Sequence, residues 1–205
     1  MSDPVAQAAE AARAGALVVF PTDTVYGIGT RPDDPAATAR LFEAKGRPRD
    51  LELPILVASI AEAELIARFD DRARALAGRW WPGPLTLVLP RTSASAEWDL
   101  GEDRSTVGVR MQHHPLALAL LAATGPLAVS SANRTGAPTP ATCDELERVF
   151  GEAVAIYLCL DTLLEGHPST VVDLTGGEPR VLLTGAVDPE LIRGFLADDL
   201  PSEGG

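Results

Sequence analysis

Lys45, Arg47 and Arg49 fall within five residues in the stretch KGRPRD, with Pro48 stiffening the turn between the two arginines. Cations set so closely suit a polyphosphate, the guanidinium groups giving bidentate contacts and the ammonium a point charge. A plainer reading is open for Lys45, because a cation in the last turn before a capping Gly46 complements the helix dipole. Beside two arginines in an acidic chain, the anion site is the reading taken. A second polar cluster, SSANRTG, places Ser130, Ser131, Asn133, Arg134 and Thr135 ahead of Gly136. Short hydroxyl and amide side chains of that kind bind phosphate or ribose, and they build ordinary turns equally well. Arg110 ends the apolar run TVGV. A charge leaving a buried strand needs a partner, either a substrate carboxylate or an internal Asp. In FPTDTVYGIG, Phe20 to Gly29, two threonines, an Asp and a Tyr follow an apolar run; Thr22 and Asp23 read as caps of the turn.

Several familiar chemistries are excluded. There is no GxxxxGK phosphate loop, Gly27 and Gly29 lack the third glycine of a dinucleotide fingerprint, and neither a GxSxG elbow nor a Cys-His signature is present. His113 and His114 are adjacent, point different ways and have no third ligand near, so no metal is expected. WWPGP, Trp80 to Pro84, reads as a packed corner rather than a base-stacking platform. The two cysteines, Cys143 and Cys159, lack metal spacing and are few for a secreted chain, so a reduced, cytoplasmic setting is expected, with Cys159 in the core. Seventeen basic against 29 acidic residues give a net charge of -12, which argues against a surface that coats nucleic acid. Any anion therefore needs a local pocket. The N-terminus lacks the basic-then-apolar order of a signal peptide, and no apolar run approaches the roughly 20 residues of a membrane helix.

The elements that must position these groups alternate between two grammars. DPVAQAAEAARAG and DPAATARLFEAKG each open on an Asp cap with Pro behind it, at Asp3 and Asp34, and close on Gly15 and Gly46. Between and after them come short apolar runs that read as strands: ALVVF, LPILVA, GPLTLVLP, STVGVRM, GPLAVS, AVAIYLCL, STVVDL and RVLLTG. Helical patterns cover Ile60 to Trp80, PLALALLAAT, TCDELERVFG and DPELIRGFLA. Strands without strict alternation imply a sheet covered on both faces, so the class is α/β. A length of 205 residues at 46% hydrophobic content supports one core, residues 1–197, followed by an acidic, Gly-containing tail at 198–205 that reads as disordered. The polar stretches gather where strands end, which predicts a crevice at the carboxyl ends of the sheet.

Taken together, PTDTVYGIG, KGRPRD, WPGPLTLVL, VGVRMQHHP, SSANRTG and STVVDL stand in the order and spacing of the YrdC-like family, the L-threonylcarbamoyladenylate synthases. The resemblance runs from about Ala16 to Gly185. Its signature is a lysine-x-arginine with a serine-x-asparagine, here Lys45/Arg47 and Ser131/Asn133. It implies a twisted mixed sheet, with helices on both faces, around a deep basic cavity. It also implies an enzyme that joins L-threonine, bicarbonate and ATP into threonylcarbamoyl-AMP with release of pyrophosphate. A partner transferase complex would then modify adenosine 37 of tRNA. Longer members carry a further C-terminal domain, for which 205 residues leave no room.

The resemblance gives Lys45 and Arg47 to the triphosphate, with Ser131, Asn133 and Thr106 completing the ATP site. Thr24, Arg110 and Ser169 would hold threonine, Arg110 on its carboxylate, and Tyr26 would form a wall. Mg2+ would arrive with ATP, since no carboxylate cage is evident. Strong direct nucleic-acid binding is not expected. Three departures stand out. Leu183 replaces a late arginine, for which Arg180 is a substitute from another register, Ala141 replaces a hydroxyl residue with Thr142 one place late, and Leu56 stands where many members carry His. They leave an alternative open, a noncatalytic or diverged paralogue that binds RNA or a carbamoyl nucleotide. A carbamoyl-transfer module of hydrogenase maturation would sit in a longer chain with zinc-finger cysteines, absent here.

Overall fold

A computed structural model describes residues 3–160, 163–164 and 166–199. Helix α1, Pro4–Arg13, starts where Asp3 accepts a hydrogen bond from the Val5 N–H at 3.0 Å, and it buries Ala8, Ala9 and Ala12. Strand β1, Leu17–Pro21, turns back through residues 22–25 into β2, Tyr26–Thr30. Helix α2, Pro35–Lys45, is capped by Asp34 and ends on Gly46 in the left-handed region, φ 58°. Then come β3 (Ile55–Leu56), α3 (Ile60–Ile66), α4 (Asp71–Trp80), β4 (Leu85–Pro90) and β5 (Thr106–Arg110). The order continues with α5 (Pro115–Thr124), β6 (Leu127–Ser131), α6 (Cys143–Phe150), β7 (Val154–Tyr157), β8 (Thr170–Asp173), β9 (Arg180–Leu183) and α7 (Pro189–Asp199).

The nine strands form one mixed sheet in the order β7-β1-β2-β6-β3-β5-β4-β8-β9, with parallel pairs at β1/β7, β3/β5 and β4/β8. The strands do alternate, and the alternation positions the site. On one face Leu17, Val19, Ile28, Ile55, Val109 and Leu87 join a core cluster to which α2, α3, α4, α6 and α7 contribute. The other face divides. Over β1 and β6 the residues Val18, Phe20, Leu127 and Val129 are covered by α1 and α5. Over β5, β4, β8 and β9 the same face carries Thr106, Gly108, Thr86, Val88 and Val171, and opens into a cavity.

Four expectations need correction. YGIGT, absent from the expected strands, is the strand β2; a Cβ at Gly29 would stand 2.7 Å from Val129 Cγ2 and 2.9 Å from the Ala128 carbonyl, so the glycines that mask the strand pattern are what let β2 lie against β6. The cavity lies across a sheet face, not at the carboxyl ends, because residues i and i+2 of each strand project into it. Cys143 and Cys159 are not free thiols, and Cys159 is half-buried rather than core: α6 packs beside β7 and the two form a disulfide, with Cα atoms 5.7 Å apart. Helix α7 carries the chain through Asp199, two residues into the stretch read as tail; residues 200–205 lie outside the described residues.

WWPGP is a packed corner, as read. Trp81 meets Phe69 edge-on at 6.0 Å, Trp80 meets Phe195 at 5.1 Å, and Trp81 Nε1 donates to the Leu85 carbonyl at 2.7 Å.

Candidate active site

The cavity holds about 730 Å³. Thr22, Thr24 and Val25 form one end of its wall, in the turn between β1 and β2. Thr22 Oγ1 accepts from the N–H groups of Thr24 and Val25 at 3.2 and 3.3 Å and donates to the Val25 carbonyl at 2.6 Å, which fixes the turn. Thr24 Oγ1, so placed, accepts from Arg110 Nη1 at 3.3 Å. Arg110 is 6% exposed and follows the buried Val109 out of β5. Its Nε donates to the Gly83 carbonyl at 3.0 Å, and its Nη2 pairs with Asp23 Oδ1. Of the two partners the sequence left open, the structure supplies the internal Asp. Ser169 stands across the cavity on the approach to β8, its hydroxyl 2.9 Å from Thr86 Oγ1.

The other end is built by the loop after α2 and the end of β6. Arg47 is half-buried and braced by its own loop, with Nε on the Leu51 carbonyl at 2.8 Å and Nη2 on the Glu52 carbonyl at 2.9 Å. Its Nη1 reaches Ser130 Oγ at 3.4 Å. Thr106 donates to Asp103 Oδ2, and Ser105 donates from both N–H and hydroxyl to Oδ1. Burial works to raise the Asp103 pKa, yet these hydrogen bonds outweigh it and hold the group at about 2.

The structure separates residues that the sequence groups together. Among the described residues, Thr24, Arg47, Thr106, Arg110, Ser131 and Ser169 all face the cavity. Lys45 and Asn133 do not line it. Lys45 is 1% exposed and its amine donates to the backbone carbonyls of Ser131 and Asn133, the latter at 2.6 Å. Asn133 Oδ1 accepts from Ser131 Oγ at 2.5 Å, and its Nδ2 donates to the carbonyls of Arg134 and Ala137 at 2.9 and 2.7 Å. Arg49 turns away as well, stacking on Phe42 at 4.5 Å and pairing with Asp99. The triple cation of KGRPR thus reaches the cavity only through Arg47.

Tyr26 borders the cavity while its ring packs in the core, its hydroxyl accepting from the Leu160 N–H at 3.0 Å. Of the departures, Leu56 and Leu183 line the cavity, and Arg180 does too, with Nη2 on Asp173 Oδ2 at 2.8 Å. Thr142 caps α6 instead. Asp23, read as a turn cap, makes no capping bond and is the site residue that sequence reasoning missed.

The cavity is not basic on formal count. Arg47, Arg110 and Arg180 stand against Glu52, Asp103 and Asp173 in its lining. An anion here would be met by aimed N–H donors of the arginines rather than by excess positive charge.

A mixed sheet with half of one face hollowed into an arginine- and hydroxyl-lined chamber defines a class of α/β small-molecule-binding domain. The chain belongs to the Sua5/YciO/YrdC family, whose model, described as telomere recombination, matches residues 10–185. A Mycobacterium tuberculosis relative, provisionally named a threonylcarbamoyl-AMP synthase, is 45% identical over 199 residues, 97% of this chain and 91% of its own. The threonylcarbamoyl-AMP synthase of Chromohalobacter salexigens is 40% identical over 181 residues, 86% of this chain and 96% of that protein. The crystal structure of Pyrococcus abyssi Sua5 complexed with L-threonine superimposes with a TM-score of 0.85 at 36% identity over 96% of this chain. This chain spans 58% of that longer archaeal chain.

Proposed function

We propose that this chain is a threonylcarbamoyl-AMP synthase, which joins L-threonine, bicarbonate and ATP and releases pyrophosphate. The observation that carries the reading is that Thr24, Arg110 and Ser169, far apart in sequence, face one cavity with Arg47, Thr106 and Ser131. A relative with the same fold holds L-threonine.

Two ends of the cavity divide the work. Arg110 takes the threonine carboxylate through N–H groups left over from its internal bonds, and Thr24 and Ser169 offer hydroxyls to the rest of the amino acid. The amine, having lost a proton, forms an N–C bond to bicarbonate carbon with loss of water. The resulting carbamate oxygen attacks the α-phosphorus of ATP, and the bond to the bridging oxygen breaks to release pyrophosphate. Two anions meet in that step, so donors that follow the charge onto the phosphates contribute most. Arg47 takes that role through the N–H groups its loop bonds leave over. Ser131 and Thr106 line the same end with their hydroxyl protons given to Asn133 and Asp103, and Lys45 and Asn133 act from behind the wall by fixing the turn that carries Ser131.

The cavity acids do not fit a Mg2+ cage. Asp103 is taken by Ser105 and Thr106, Asp173 by Thr175 and Arg180, and Glu52 accepts from the Asp103 N–H at 3.4 Å, so among the described residues no group of three acids is free to converge on an ion. Mg2+ would come as the counter-ion of ATP, held by phosphate and water, and no step here runs through it. The substrates imply a cytoplasmic enzyme whose product passes to a tRNA-modifying transferase.

The test is pyrophosphate release with each substrate omitted in turn. Release that needs threonine, bicarbonate and ATP together supports the reading. Release without threonine, or tight tRNA binding with no turnover, refutes it in favour of the diverged paralogue.

A further inference from the structure

The turn that carries Thr24 also carries Asp23, and Thr22 does the capping there. Asp23 Oδ1 instead accepts from Arg110 Nη2, 87 residues away in sequence. Its Oδ2 is buried without a partner among the described residues. The carboxylate therefore does not serve its own turn, and its one bond among the described residues is to the guanidinium.

That guanidinium has five N–H donors. One goes to the Gly83 carbonyl, one to Thr24 Oγ1 and one to Asp23 Oδ1. Two remain, on a group that stands in the cavity wall. An arginine on a flexible stem would ordinarily spend rotamer entropy to present such a pair to a ligand. Here bonds on three sides have already fixed the plane.

We propose that Asp23 is the positioning residue of the amino-acid pocket: it clamps one edge of the Arg110 guanidinium so that the remaining N–H groups meet a ligand carboxylate, and it offsets the buried charge while the pocket is empty. The inference rests on the reading of Arg110 as the carboxylate ligand of threonine. Asp23 touches no substrate in this scheme. It lies behind the wall, with His114, whose buried Nδ1 is likewise unpartnered among the described residues, among the groups close enough to feel its charge. An unpartnered oxygen in such a place is tolerated where it serves a site rather than the fold.

Two variants separate clamp from fold. Asp23→Leu removes the acceptor; Asp23→Asn keeps the shape and one acceptor oxygen. Calorimetric titration should show Asp23→Leu weakening L-threonine binding roughly tenfold or more, with ATP binding changed less than about twofold, and Asp23→Asn recovering most of the threonine affinity. In ligand-free protein, nuclear magnetic resonance should show the Arg110 Nη–H protons exchanging faster with solvent in Asp23→Leu than in wild type. Unchanged threonine affinity in both variants, or equal loss of threonine and ATP affinity in Asp23→Asn, overturns the proposal. If wild type binds no threonine, the functional reading fails; the exchange measurement then decides Asp23 alone, and an unchanged rate refutes the clamp.

Discussion

The amine of Lys45 lies between two backbone carbonyls, with no carboxylate bonded to it among the described residues. Burial first, and the charge of Arg47 second, lower its pKa from 10.5 to about 7. A neutral amine has two N–H donors, which matches the two carbonyls of Ser131 and Asn133. Below pH 7 both folded and unfolded chains carry the proton, and the desolvation penalty acts in full. Between about 7 and 10.5 the folded chain has shed the proton and the unfolded chain has not, so stability rises with pH; above 10.5 both are neutral. Lys45→Met should abolish that rise and, near pH 10, destabilise the protein by about 1–3 kcal/mol for each carbonyl left unsatisfied. Urea titrations of both proteins across pH 7 to 10.5 measure this. An identical pH slope in the variant would show that the amine stays charged and that another group holds the turn.

At the scale of elements, the hairpin β1–β2 determines where the end of the cavity proposed for threonine can lie, and it depends on a close approach. A methyl group at position 29 would press on Val129 Cγ2 and the Ala128 carbonyl. Gly29→Ala should therefore cost about 1–3 kcal/mol. Combined with Val129→Ala, it should cost less than the two single losses added together, because one of the clashing groups is gone. Denaturant midpoints of the four proteins give the answer, and strict additivity would mean that the strand shifts freely. The same hairpin shows what was legible in the sequence. Asp3-Pro4 and Asp34-Pro35-Gly46 marked their helices because caps and turns are local chemistry. Tyr26–Thr30 did not read as strand, since its glycines answer to a neighbour 100 residues away. The site was half legible for the same reason. Residue type marked Arg47, Arg110 and Ser131, but which side of the wall Lys45, Asn133 and Asp23 occupy depends on pairings across 86, 88 and 87 residues.

The whole molecule carries a net charge of -12, and its cavity balances three arginines against three acids. A polyanion as long as tRNA meets repulsion outside and no basic excess inside. Direct tRNA binding should be weak, and the dependence of log K on log salt should be shallow, corresponding to about one or two phosphate contacts. A slope that implies six or more would point to an RNA-binding face and to a different role. Small anions are another matter, because fixed donors at two ends of one cavity can hold a carboxylate and a triphosphate without net charge. A crystal structure with L-threonine and a nonhydrolysable ATP analogue tests that division most directly. The account predicts the carboxylate within about 3 Å of Arg110, between Thr24 and Ser169, and the triphosphate against Arg47 and Ser131. Threonine bound away from Arg110, or phosphates lodged outside the sheet-face cavity, would contradict it.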